Sequence, residues 1–214
     1  GSYTEGTMAL VDGISILGDG RDVVAVEGAI TGDNIGTVSG ITLDGGGISV
    51  TLSPTGVIED CTIQNSPGNN IGANNTDGLT VQRNKLLNAG GGGSAIEVRN
   101  SVLGGGDGGL RIQCINNLIK NAYYGIQTRK PGEIDIMTTT VVDCREGGIS
   151  NNGGESGPSM TIKNSIVAFN ATSGPGDFGR WNIQSNGHIT TIDDSDVFGS
   201  LGVHVFPKTG GGNF

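Results

Sequence analysis

Aromatic residues are scarce in this chain. One Trp, three Tyr and five Phe among 214 residues make up 4% of it, which excludes a core built on large rings. Charge is thin as well: Asp, Glu, Lys and Arg supply 15%, against about 25% in ordinary globular domains. Basic residues number 12 against 21 acidic, for a net charge of −9. A nucleic-acid partner needs a basic footprint, and this balance argues against one. Three cysteines, Cys61, Cys114 and Cys144, are an odd count at irregular spacing. They form neither a disulfide framework nor a metal-ligand pattern. No apolar run approaches the roughly 18 residues of a membrane-spanning helix, and no long segment carries the 3.6-residue apolar period of amphipathic helices.

What the chain does have is glycine, 41 residues of it, without the Gly-X-Y period of collagen. Glycine-rich polar chains often stay disordered for want of apolar surface to bury. Here the apolar residues are mostly Ile, Val and Leu, in short alternating bursts such as Leu79-Thr80-Val81 and Ile96-Glu97-Val98. Bursts of this kind, bounded by Gly, Asn and Ser, read as strands separated by turns.

The bursts repeat. The segment Cys61-Thr62-Ile63-Gln64-Asn65 recurs as Asn84-Lys85-Leu86-Leu87-Asn88 and Asn117-Leu118-Ile119-Lys120-Asn121. Aligned copies start at positions 14, 41, 61, 84, 117, 140, 165 and 195, at intervals of 20 to 33 residues. Three apolar columns follow from that alignment. The first holds Ile16, Leu43, Ile63, Leu86, Ile119, Val142, Val167 and Val197; the second Val11, Val38, Ile58, Val81, Cys114, Met137, Ile162 and Ile192; the third Ile48, Ile71, Ile96, Ile126, Ile149, Ile183 and Val203. Such columns stack about 4.8 Å apart when a chain returns to the same place once per turn of a solenoid. The expected fold is therefore all-β: a right-handed parallel β-helix of about eight coils, one domain over 1–214. The chain is expected to lack its native N-terminal cap and to be a segment of a longer protein. Asn65, Asn84, Asn88, Asn117 and Asn121 fall at the ends of the repeated strands, where Asn tolerates left-handed backbone and can form ladders between coils.

At Asn116-Asn117-Leu118-Ile119-Lys120-Asn121 and Ile162-Lys163-Asn164-Ser165-Ile166-Val167-Ala168-Phe169-Asn170 the chain resembles the pectate-lyase-like superfamily of right-handed parallel β-helices. The resemblance implies a protein of the cell exterior or cell surface that handles polysaccharide, with lyase cleavage of uronate glycans as one form of that activity. A non-catalytic structural or adhesive module is the competing expectation. One local match, Asn75-Thr76-Asp77-Gly78, resembles the first motif of polygalacturonases. The paired aspartates that should follow are replaced by Gly90-Gly91-Gly92-Gly93-Ser94-Ala95-Ile96. One carboxylate cannot serve as both acid and base across a glycosidic bond, so hydrolase activity is not expected and Asn75–Gly78 reads as a turn.

Between the inward residues of the third column lie outward ones, expected to form a polar ladder: Glu97 and Arg99, then Gln127 and Arg129, then Ser150, Gln184 and His204. Glu97, Arg99, Gln127, Arg129, Gln184 and His204 are the candidate substrate-binding residues, offering paired hydrogen bonds to hydroxyls and charge-assisted bonds to uronate carboxylates. For a lyase the candidate bases are Arg99, Arg129 and Lys130, each requiring a lowered pKa. Asp193, Asp194 and Asp196 form the densest carboxylate cluster and are the candidate ligands of Ca2+. The alternative is a Lys163–Asp193 salt bridge with Asn164 beneath Asp194. Asp60 and Arg83 are expected to pair. Trp181, Tyr123 and Tyr124 either stack on sugars or cover loop ends. The two histidines, His188 and His204, lie far apart in the register. Ice binding would need a regular threonine array, and only Thr42 and Thr62 share a column on adjacent coils. Open ends of the stack predict neighbouring domains or end-to-end self-contacts.

Overall fold

A computed structural model describes residues 1–51, 55–99, 111–129, 133–151, 159–170, 181–186, 190–198 and 203–206. Every strand pairing is parallel, and among the described residues there is no helix. One coil shows the plan. Strand Val57–Glu59 belongs to wall A, Thr62–Gln64 to wall B and Ile71–Asn74 to wall C, after which the chain climbs to Thr80–Gln82, back on wall A. Wall A is an eight-stranded sheet. Walls B and C form a 16-stranded sheet, because the long strand Ala25–Asp33 pairs by its first half with Thr42–Asp44 of wall B and by its second with Ile48–Thr51 of wall C. The chain is a right-handed parallel β-helix, as its sequence columns lead one to expect.

Strand length follows from the corners. Wall A ends at Gly40, Asp60, Arg83, Asn116, Thr138, Asn164 and Asp194, and wall B at Gly45, Asn65, Asn88, Asn121, Asp143 and Phe169; all have positive φ. A single left-handed residue turns the strand sharply, and Asn and Asp pay least for it among residues with a side chain. The N–H after the first of these corners is taken by a side chain one coil up. Cys61 N–H donates to Asn84 Oδ1 (3.0 Å), Asn84 N–H to Asn117 Oδ1 (3.0 Å), Asn117 N–H to Thr139 Oγ1 (3.3 Å), Thr139 N–H to Ser165 Oγ (3.2 Å) and Ser165 N–H to Ser195 Oγ (3.1 Å). On the second corner Asn88 donates to Asn65 (3.0 Å) and Asn121 to Asn88 (3.3 Å). The expected asparagine ladders are present, and Thr139, Ser165 and Ser195 extend the inner one.

The core is one continuous aliphatic stack. Wall C carries Ile30, Ile48, Ile71, Ile96, Ile126, Ile149, Ile183 and Val203 in register, which is the third sequence column with one more coil below it. Leu86 pairs with Ile63 on one side and Ile119 on the other. The other two columns need correction in two coils. Ile119 pairs with Val141 and Cys114 with Ile136, so Val142 and Met137 face outward. In the first coil Ile16 pairs with Val38 on wall A, Val26 takes the place opposite Leu43, and Val11 is 70% exposed. A one-residue slip moves a whole strand to the other face, and Thr138-Thr139-Thr140 gives no Asn or Gly to mark the corner.

Candidate functional site

On the outer face of wall C the register is the one expected: Gly72, Glu97, Gln127, Ser150, Gln184 and His204 follow one another up the stack. Exposure is not. Glu97 is 3% exposed, Gln127 4% and Ser150 2%, so this stretch of the ladder is roofed over. Arginines supply part of the roof. Arg99 Nη2 lies 3.0 Å from Glu97 Oε2, and Arg129 Nε 2.6 Å from Glu97 Oε1, both with roughly half-exposed side chains. Arg129 Nε also donates to Gln127 Oε1 at 3.1 Å, and that alignment leaves Glu97 Oε1 in contact with a charge but without a hydrogen bond. Asn69 completes the group: its Nδ2 donates to Glu97 Oε2 (2.5 Å), while its Oδ1 accepts the Ser94 N–H (2.7 Å).

The open surface begins just below. A groove of about 300 Å3 runs over Thr31, Ser49 and Gly72, with Asn69, Asn74, Glu97 and Arg99 at its upper side. It exists because Gly72 interrupts the outward column; a Cβ there would meet nothing closer than Asn69 Nδ2 at 3.7 Å. Its size sits at the lower end of small-ligand sites, about 300–1,000 Å3. Two guanidiniums against one carboxylate leave one net positive charge at the upper end of a polar groove, in a protein of net charge −9.

Of the residues singled out from sequence, Glu97, Arg99, Gln127 and Arg129 are brought together, and Gln184 lies higher in the same column. The His204 backbone pairs with Gln184, but its side chain, Lys130 and His188 lie outside the described residues. Thr31, Ser49, Asn69, Gly72 and Asn74 were not singled out. The available signal was Gly72 itself, a gap in an otherwise side-chain-bearing column. Asp193 sits 3.9 Å from Lys163, one coil below. Asp194 occupies a left-handed corner and Asp196 the next strand. No group of three His, Cys, Asp or Glu fit to hold a metal ion exists among the described residues. Asp60 accepts two hydrogen bonds from Arg83 Nε and one from its Nη2, which hold its carboxyl below the ordinary range. Asn75 and Gly78 are both left-handed, and Asp77 accepts the Arg111 N–H, as a turn requires. Tyr123 and Tyr124 pack edge to face at 5.2 Å with Arg145 over the Tyr123 ring; they lie outside the groove, as does Trp181.

The strand pairings define the class of protein: a parallel β-helix with a polar groove on one wall. No family model matches the sequence, and no curated protein does. Among solved structures, the A-module of a mannuronan C-5 epimerase from Azotobacter vinelandii aligns over 97% of this chain and 87% of its own, at 11% identity and a TM-score of 0.48. The assignment of fold rests on the pairings. No helix among the described residues is long and apolar enough to cross a membrane.

Proposed function

We propose that the protein binds polysaccharide on wall C, seating a uronate residue in the groove over Gly72 with its carboxylate on Arg99. The observation that carries this reading is the convergence of Asn69, Asn74, Glu97 and Arg99 on one polar groove. A guanidinium offers a carboxylate paired hydrogen bonds, and Thr31, Ser49 and Asn74 line the same groove with groups able to hydrogen-bond sugar hydroxyls. The overall negative charge opposes a polyanion at long range. At physiological ionic strength screening over about 8 Å leaves the local cluster dominant.

Binding without cleavage is the form of the activity that fits best. Arginine stays charged in proteins, and Arg99 and Arg129 are both engaged with Glu97, so they serve as donors and counter-charges, not as bases. The reading implies a protein of the cell exterior or cell surface. Calorimetry with uronate oligosaccharides and with a neutral glucan tests it. Uronate binding is expected, and Arg99→Ala should weaken it about tenfold, equivalent to the loss of about 1.4 kcal/mol. Equal affinity for the neutral glucan, or no effect of Arg99→Ala, overturns the carboxylate assignment. Release of an unsaturated product absorbing in the ultraviolet overturns the non-cleaving part.

A further inference from the structure

On the outer face of wall B, successive coils present Lys85, Leu118, Thr140, Ile166 and Asp196 in one register column. The order is cation, aliphatic, threonine, aliphatic, anion. Leu118 is 36% and Ile166 41% exposed, and Lys85 and Asp196 are exposed as well. Neither charged side chain has an ion-pair partner among the described residues. Beside the column, Phe198 (47% exposed) and Phe169 (51%) meet edge to face at 5.2 Å. Exposed aliphatic and aromatic side chains gathered on one flat face mark a surface that associates.

From Lys85 to Asp196, above the less exposed Thr42 and Thr62 of the same column, the order reads the same from both ends once charge is inverted. We propose that this face is a two-fold interface and that its partner is a second copy of this chain, packed wall B to wall B with its axis reversed. A two-fold axis along the strand direction at Thr140 sets Lys85 opposite Asp196 of the partner subunit, and Leu118 opposite the partner's Ile166. Thr140 meets its own equivalent. In the neighbouring column the same operation sets Leu87 opposite the partner's Phe198, Lys120, which keeps its own partner in Asp143, opposite the partner's Ala168, and Val142 opposite itself. An isologous contact needs this self-complementarity, with each pairing made twice. Coils about 4.8 Å apart make the face about 19 Å long, and three-residue strands keep it narrow. The interface therefore falls in the small class, under about 1,200 Å2 in total, and the dimer is weak.

Sedimentation equilibrium tests this from about 10 to about 500 µM, a range suited to a small interface. The mass is expected to rise from 21.7 kDa toward twice that value. Asp196→Lys puts like charges together at both symmetric positions and should weaken the dimer about tenfold, on the scale of opposed charge pairs. Lys85→Asp combined with Asp196→Lys should restore it, which a folding defect cannot do. Ile166→Asp should abolish it with the circular dichroism unchanged. A monomer across the whole range overturns the proposal. So does a dimer indifferent to these substitutions, or a single swap that the double swap does not rescue.

Discussion

Cys61, Cys114 and Cys144 face the core, and burial pushes their thiols up, Cys61 to about 11 and the other two to about 12. A thiol needs its thiolate to react, so native protein at pH 8 should leave all three unmodified by a disulfide reagent, while unfolded protein should titrate as three. Rapid labelling of the native form would contradict the packing. The same displacement has a stability consequence. The folded state binds these protons more tightly than the unfolded state, whose thiols ionise near their ordinary value of 9.0. The stabilisation is complete below that pH and declines as pH climbs through it toward 11 to 12. Urea midpoints should therefore be flat up to about pH 8.5 and fall above pH 9, as this linkage requires. On the acid side Asp44, held low by hydrogen bonds from Asn65 and Gln64, and Asp60, held low by Arg83, add stability above the ordinary carboxylate range. It is lost as pH falls through their lowered values, and the loss is modest because both are partly exposed.

Each strand has to be told which side is inward, and the corner residue gives that instruction. From the second coil upward the sequence columns and the structure agree at every left-handed corner between walls A and B except Thr138, where they part by one residue. Substitution distinguishes the two registers. Ile136 is fully buried, and Ile136→Ala should cost about 2–5 kcal/mol. Met137→Ala, on the outer face, should cost less than about 1 kcal/mol. The reverse order in urea unfolding would restore the register read from sequence. The inner ladder offers a second test. Asn117 accepts the Asn84 N–H through Oδ1 and donates to the Val81 carbonyl through Nδ2 (2.8 Å), at 3% exposure. Asn117→Ala leaves the Asn84 N–H unsatisfied and should cost about 1–3 kcal/mol.

At the scale of the molecule, the walls separate stability from function, because a side chain can point only in or out. The groove lies on the outer side of wall C while its floor strands are anchored by Ile30, Ile48 and Ile71 on the inner side. Filling the groove should therefore spare the fold. Gly72→Thr adds a Cβ that meets only Asn69 at ordinary contact distance and branches into the groove, and strand interiors gain about 0.5–1 kcal/mol when glycine is replaced. The melting temperature should hold or rise while uronate binding disappears. Retained binding in that variant would remove the groove from the proposed function.

The aliphatic columns, the coil length and the asparagine corners were legible in the chain itself, because a parallel solenoid stacks equivalent residues on one another and so writes its fold as a repeat. The register of wall C could be read without error from Ile48 to Val203, since each of its strands carries an isoleucine or valine at the same place between distinctive turns. Which outward residues meet solvent was decided only in three dimensions. Glu97 and Arg99 stand two apart on one strand, yet Glu97 is sealed beneath two guanidiniums, one of them from the next coil, while Arg99 reaches the surface. Exposure on an outer wall depends on how long side chains from adjacent coils fold over one another, and no periodicity in the sequence encodes that.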